Sequence, residues 1–310
     1  MANAFLKAET IVRTGLGLLQ RELILPRLVT RLGISDFRGA KNDTVNMRLP
    51  AILEARDYQW RTRTAPIVVD DLEEVTIPVA LDSHIYSAVA VTDEELTLDI
   101  AEFGTQVLQP QVRAVAERLE GTIATAMSGG TYAETIDYDD GTDDFWDDVI
   151  VKARQILNTA NVPSLGRVLV LGANLEAAAL KTDIFKKADE SGSTEVLENA
   201  TLGRKAGFRV IGNVNSIDPD EGYAFHVSAY AFANVAPQVP AGVPFGQSET
   251  YAELAMRWIR DYDPDYLRDR SVVSSFAGAV SVEDSRDDSG SLTGTNVRSV
   301  RITSGADPSA

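Results

Sequence analysis

The 310-residue chain has no cysteine and only two histidines, His84 and His226. Disulfides, thiolate metal sites and thiol nucleophiles are excluded, and two imidazoles are too few for a His-rich metal centre. Positive charge is scarce: 29 Lys and Arg stand against 46 Asp and Glu, a formal net charge of −17. A general nucleic-acid coat held on by phosphate contacts needs the opposite balance. The longest uncharged stretch, Val227 to Ser248, is interrupted by Pro237, Pro240 and Pro244, so it reads as a strand followed by a rigid extended loop, not a membrane span. The first ten residues include Lys7 and Glu9 and lack the apolar core of a secretory signal, which points to the cytosol. What is present is 44% apolar content, ample for the buried core of one large or two modest domains.

Residues 1 to 41 are the basic exception, with seven Lys and Arg against three acidic residues. Leu16, Leu19, Leu23, Leu28 and Leu32 recur at spacings of three to five, predicting a helix broken or kinked near Pro26. It is read either as a solvated amphipathic face or as an arm that docks on a partner. From Thr44 the period becomes two. Val45, Met47 and Leu49 alternate with polar residues, as do Val75, Ile77, Val79 and Leu81, predicting two strands. Between them lies a long charged tip holding Arg56, Tyr58, Trp60, Arg61, Arg63 and then Asp70, Asp71, Glu73 and Glu74. A two-stranded ribbon is marginal alone, so it folds back on its own domain or lies on a neighbouring molecule. Arginine and aromatic residues together favour interface centres, which makes this tip the candidate intersubunit contact.

A helix is predicted over Glu102 to Met127, with Val112, Val115, Leu119 and Ile123 as its core stripe and Pro110 either in its first turn or at a bend. Residues 131 to 150 hold eight carboxylates and no base, but the register fails for a calcium loop, since Ile136 and Tyr138 would fall at ligand positions. The segment reads as a solvated turn feeding a helix capped by Asp143 or Asp144 and running through Phe145, Val149, Ala153, Ile156 and Leu157. Strands are expected at Arg167 to Leu171, Phe208 to Ile211, Tyr223 to Val227, Leu254 to Tyr262 and Val272 to Val282, with a helix from Leu175 to Leu180. In Leu254 to Tyr262, Met256, Trp258 and Asp261 are placed opposite Arg257 and Arg260. Val297 to Ile302 is expected as a terminal edge strand after a Ser/Gly/Asp linker. One glycine at Gly172 between strand and helix falls short of a phosphate-binding fingerprint. Ser83 and His84 are adjacent and make no dyad, so no catalytic, cofactor or metal constellation emerges.

The ordered set from about residue 18 to 284 resembles the major capsid proteins of tailed bacteriophages, which have the Hong Kong 97 fold, and within them the podophage coat proteins. The resemblance rests on Arg21-Glu22-Leu23, Asp43-Thr44-Val45-Asn46-Met47-Arg48-Leu49-Pro50 and Val75-Thr76-Ile77-Pro78-Val79-Ala80-Leu81-Asp82. It continues through Glu95-Leu96-Thr97-Leu98-Asp99, Val107-Leu108-Gln109-Pro110, Asn161-Val162-Pro163, Gly166-Arg167-Val168-Leu169-Val170 and Gly203-Arg204 with Gly207-Phe208-Arg209-Val210.

The resemblance implies an α+β subunit with an N-terminal arm (1–41), an extended two-stranded loop (42–84), a peripheral domain with a long spine helix (85–142), an axial α/β domain (143–236), a return to the peripheral domain (237–284) and a linker with C-terminal tail (285–310). It implies self-assembly through hexamers and pentamers into an icosahedral shell around double-stranded DNA, built in the host cytoplasm without enzymatic activity, cofactor or membrane. Expected partners are a separate scaffolding protein, contacted by Arg13, Arg21, Arg27 and Arg31, a portal protein and a decoration protein. No lysine occurs from Asn42 to Val151, so the covalent loop-to-neighbour weld of some relatives is not expected. Gly203 to Val235 leaves no room for a large inserted domain. An encapsulin-like nanocompartment shell of the same fold and a soluble α/β enzyme are the competing readings.

Overall fold

Alternation of period two becomes sheet in this chain, and spacing of three and four becomes helix laid on that sheet. The computed structural model describes residues 24–32, 44–49, 55–58, 60–63, 66–67, 69, 75–96, 103–139, 144–181, 203–212, 214, 216–243, 245–251, 254–284 and 293–304. In chain order the strands are β1 (Thr30–Leu32), β2 (Thr44–Leu49), β3 (Val75–Ala80), β4 (Ser83–Thr92), β5 (Thr135–Tyr138), β6 (Arg167–Leu171), β7 (Arg204–Lys205), β8 (Phe208–Ile211), β9 (Glu221–His226), β10 (Tyr230–Val235), β11 (Phe245–Tyr251), β12 (Leu254–Asp263), β13 (Arg268–Ser281) and β14 (Ser299–Ser304). The α-helices are α1 (Gln109–Ser128), α2 (Lys152–Thr159) and α3 (Ala173–Lys181).

The first sheet runs β1-β10-β13-β12-β11, with β4 also paired to β13, and the second runs β5-β14-β9-β6-β8-β7. Helix α1 covers one face of the first sheet. Val112, Val115, Leu119 and Ile123 are all buried there, each side chain worth about 1.5–3 kcal/mol when fully withdrawn from water. Pro110 sits in the first turn of α1, and a π-helical turn, Gly104–Leu108, runs directly into it, so the helical path begins before the proline. Buried Gln111 donates to the carbonyls of Ser87 and Ser271 at 3.1 and 2.9 Å and accepts from the Ser271 hydroxyl at 2.8 Å, fixing helix to sheet. Trp258 Nε1 donates to the same hydroxyl at 2.9 Å, completing a satisfied polar network in the core.

In the second sheet every residue of β6 is buried, which is why its sequence is a continuous apolar run. Arg167 is tolerated there because its guanidinium donates to the Pro163 and Val162 carbonyls at 2.9 and 2.5 Å. Asp144 caps the helical segment that begins at Phe145, accepting from Trp146 N and Asp147 N. Asp143 lies outside the described residues. Gly172 serves a close backbone approach: a Cβ there would lie 2.3 Å from the Asp218 carbonyl, and the amides of Gly172 and Asn174 are already bonded to Glu221 and Pro219.

Five expectations change. After Pro26 the chain is not helical: Leu25–Arg27 is one 3-10 turn, and Thr30–Leu32 pairs parallel to β10. The acidic stretch is not all turn, since Thr135–Tyr138 alternates exposed and buried and pairs with β14. The C-terminal strand is no edge, because β14 sits between β5 and β9. Past β10 the extended loop ends early and β11 begins at Phe245. In β12 the parity puts Arg260 with Met256 and Trp258, its guanidinium 4.8 Å from the Phe103 ring, whereas Asp261 pairs with Arg270 on the other side.

Candidate assembly surface

Strands β2 and β3 form the ribbon, paired antiparallel from Thr44↔Ala80 to Leu49↔Val75. Its root folds back on the chain's own first sheet. Ile77 and Val79 are buried against Ala231, Ala233 and Val282, with Met47, Leu32 and Leu81 packed alongside. The return strand crosses that face so closely that a Cβ on Gly278 would lie 1.8 Å from the Ala80 carbonyl oxygen. Only glycine lets the ribbon seat here. Beside the root, His84 stacks on Phe276 with ring centroids 4.5 Å apart. Burial and the nearby Arg257 guanidinium lower its pKa, keeping it neutral at pH 7.

Among the described residues the far end of the ribbon has no such cover. Tyr58 and Trp60 are exposed, Trp60 at 65%, and so are Ile67 and Val69. Arg61 lies over the Trp60 ring at 5.0 Å, and Arg63, whose φ is 48°, donates from Nε to the Trp60 carbonyl at 3.3 Å. Arg56 is exposed on the same segment. The tip is thus a preformed cation–aromatic cluster presented to solvent, the composition found at interface centres. Asp70, Asp71, Glu73 and Glu74 lie outside the described residues, as do Arg13 and Arg21.

The end of the arm is fastened by a residue that sequence reasoning did not single out. One Glu120 carboxylate oxygen accepts from the backbone N–H of Ile24 and of Leu25, the second at 3.0 Å, and the other accepts from Ser216 Oγ at 2.9 Å. Leu25 and Leu28 are buried on α1, leaving Arg27 exposed and Arg31 half-buried at the start of the sheet. At the opposite end of β12 and β13, Tyr262, Tyr266 and Leu267 are exposed around a turn whose flanks carry the pairs Arg260–Asp269, Arg268–Asp263 and Arg270–Asp261. Tyr262 donates to Asp93 at 2.9 Å. The molecule therefore offers a cationic aromatic projection at one place and an acidic, tyrosine-bearing rim at another.

Inside, the two sheets meet at a hydroxyl chain. Tyr132 and Tyr230 lie 2.8 Å apart, Tyr230 lies 2.8 Å from Ser299 Oγ, and Tyr132 also donates to the Met127 carbonyl. Burial pushes the Tyr132 phenol up to about 12 and the Tyr230 phenol upward too, so both stay neutral donors. Among the described residues no group of three or more His, Asp or Glu is placed to hold a metal ion, and no helix is long and apolar enough to cross a membrane.

Two sheets with a long helix laid on the first and a ribbon rooted on that same sheet make the architecture the Hong Kong 97 capsid fold. Residues 74–308 match the family model described as phage capsid protein, and the chain belongs to that family, as a major capsid protein of an icosahedral shell. Among solved structures, one from Mycobacterium phage Che8 superposes with a TM-score of 0.62 at 19% identity, covering 90% of each chain. The capsid structure of cyanophage P-SCSP1u gives 0.62 at 12% identity, covering 99% of this chain and 91% of that one. A virus-like particle from Pyrococcus furiosus gives 0.50 at 12% identity over 95% and 98% of the two chains. The family match is to phage capsid proteins, so the nanocompartment reading is the less supported. No curated protein matches.

Proposed function

We propose that copies of this chain close the shell by laying the ribbon tip of each on its neighbour, the contact centred on Arg56, Tyr58, Trp60, Arg61 and Arg63 and flanked by Asp70, Asp71, Glu73 and Glu74. The observation that carries this is the contrast along one ribbon, buried at Val79 and exposed at Trp60. In this reading residues 1–41 are the arm, 42–84 the extended loop, 85–142 the peripheral domain with α1 as spine, 143–236 the axial domain that gathers hexamers and pentamers, 237–284 the return, and 285–310 the linker and tail. The position of β14 inside the second sheet favours grouping the end of the tail with the axial domain.

The shell encloses double-stranded DNA without gripping it, since a surface at −17 repels phosphate. It acts as structure and not as an enzyme. Assembly takes place in the host cytoplasm with a separate scaffolding protein held by the basic arm through Arg13, Arg21, Arg27 and Arg31. A portal protein fills one vertex, and a decoration protein reinforces contacts that have no covalent weld.

Particles assembled from a mixture of isotopically light and heavy subunits, carrying a photo-crosslinker at position 60, test the ribbon contact. Mass spectrometry is expected to find mixed light–heavy peptide pairs. Pairs formed only within one chain contradict it. For the arm, replacing Arg13, Arg21, Arg27 and Arg31 together by Glu is expected to prevent scaffold retention; closed shells that keep their scaffold argue against that role.

A further inference from the structure

Among the described strands the chain passes between its two sheets three times, at 129–134, at Val227–Ala229 and between β13 and β14, and the last two passages are tied together by polar groups. His226 caps the 3-10 turn Val227–Ala229: its Nδ1 accepts from Ser228 N–H at 3.2 Å and lies 2.8 Å from Ser228 Oγ. That hydroxyl also accepts from Arg298 at 2.8 Å. Arg298 also pairs with Asp284. The Arg298 amide donates to Asn296 Oδ1 at 2.9 Å, and the Asn296 amide group donates to the Ala229 carbonyl and Ser281 Oγ, each at 3.0 Å.

On its other side the imidazole bonds the Leu165 backbone and packs on the turn at Gly166, whose φ is +83°. Both ring nitrogens are thus engaged, with Nδ1 in a role only a neutral ring can fill. The charged groups acting on the ring are cations, Arg298 from the segment before β14 and Arg167 from β6, while Asp284 faces Arg298. Burial first and then these cations lower the ring's pKa from 6.5, against the Leu165 bond, which raises it.

We propose that His226 is an acid-released latch between the two sheets: neutral, it closes the passage from β9 to β10, and protonated, it loses its acceptor and pushes Arg298 away, freeing the second sheet to shift against the first. The latch acts within one copy, so it stands independently of how copies meet. An unfolded histidine takes up its proton before the folded one does. Stability is therefore lost as pH falls through about 6.5 and levels off below the folded pKa.

The replacement His226→Asn retains a side-chain acceptor for Ser228 N–H and removes the titration. Amide hydrogen exchange at Ser228, Ala229, Asn296 and Arg298, corrected for intrinsic rate, is compared at about pH 7.5 and about pH 5 on the full chain. Protection is expected to fall about tenfold in the unmodified protein and in His84→Gln, and to stay level in His226→Asn. A level profile in the unmodified protein, or a fall that persists in His226→Asn, overturns the proposal. If His226→Asn does not fold, nuclear magnetic resonance titration of the unmodified protein decides. Ser228's amide is expected to move with the midpoint of the His226 ring, and a ring that titrates without moving it contradicts the latch.

Discussion

The root and the tip of the ribbon share two strands and differ in what covers them. At the root Ile77 and Val79, with Met47 beside them, find the first sheet of their own chain, with Gly278 cut back to let Ala80 pass. At the tip the large residues are aromatic or paired with arginine, and nothing among the described residues covers Trp60, Ile67 or Val69. Burial in the single chain thus separates what the subunit stabilises for itself from what, in the proposed function, it holds ready for another copy.

Substitutions along this contrast should change subunit stability in a graded order. Gly278→Val forces a side chain into the Ala80 backbone, and a loss of about 3 kcal/mol is expected in urea unfolding, with the ribbon root released to proteolysis. Ile77→Ala empties part of the same contact and should cost about 2–3 kcal/mol by the same measurement. Glu120→Ala leaves the Ile24 and Leu25 amides without their acceptor; a cost of about 1–2 kcal/mol is expected, with faster exchange of those two amides. At the tip, Trp60→Ala with Arg61→Glu should leave unfolding within about 0.5 kcal/mol of the unmodified chain while abolishing particles in electron micrographs. Equal losses of stability at root and tip would erase the distinction.

How far the sequence was legible follows from the range of the contacts. The ribbon strands and the stripe Val112, Val115, Leu119 and Ile123 were legible because their signal is local periodicity. Glu120 was not, because its partners Ile24 and Leu25 lie about a hundred residues away, and a half-buried glutamate on a helix looks like any solvated one. Thr135–Tyr138 was masked by surrounding carboxylates, although Ile136 and Tyr138 do alternate with polar residues. The interior place of β14 depends on partners from both halves of the chain, which no window contains. Within β12 the error was one of counting: strict alternation places Arg260 with Trp258, where Phe103 receives it. As for the tip, its composition raised the possibility of a neighbour, but only the buried root made the exposed end stand out.

Sedimentation velocity of the purified protein, alone and co-expressed with the products of neighbouring genes, with electron micrographs of any fast fraction, tests the central claim most directly. Closed icosahedral shells of very high mass are the result this account predicts. A stable monomer or dimer under every condition, the scaffold candidate included, would contradict it.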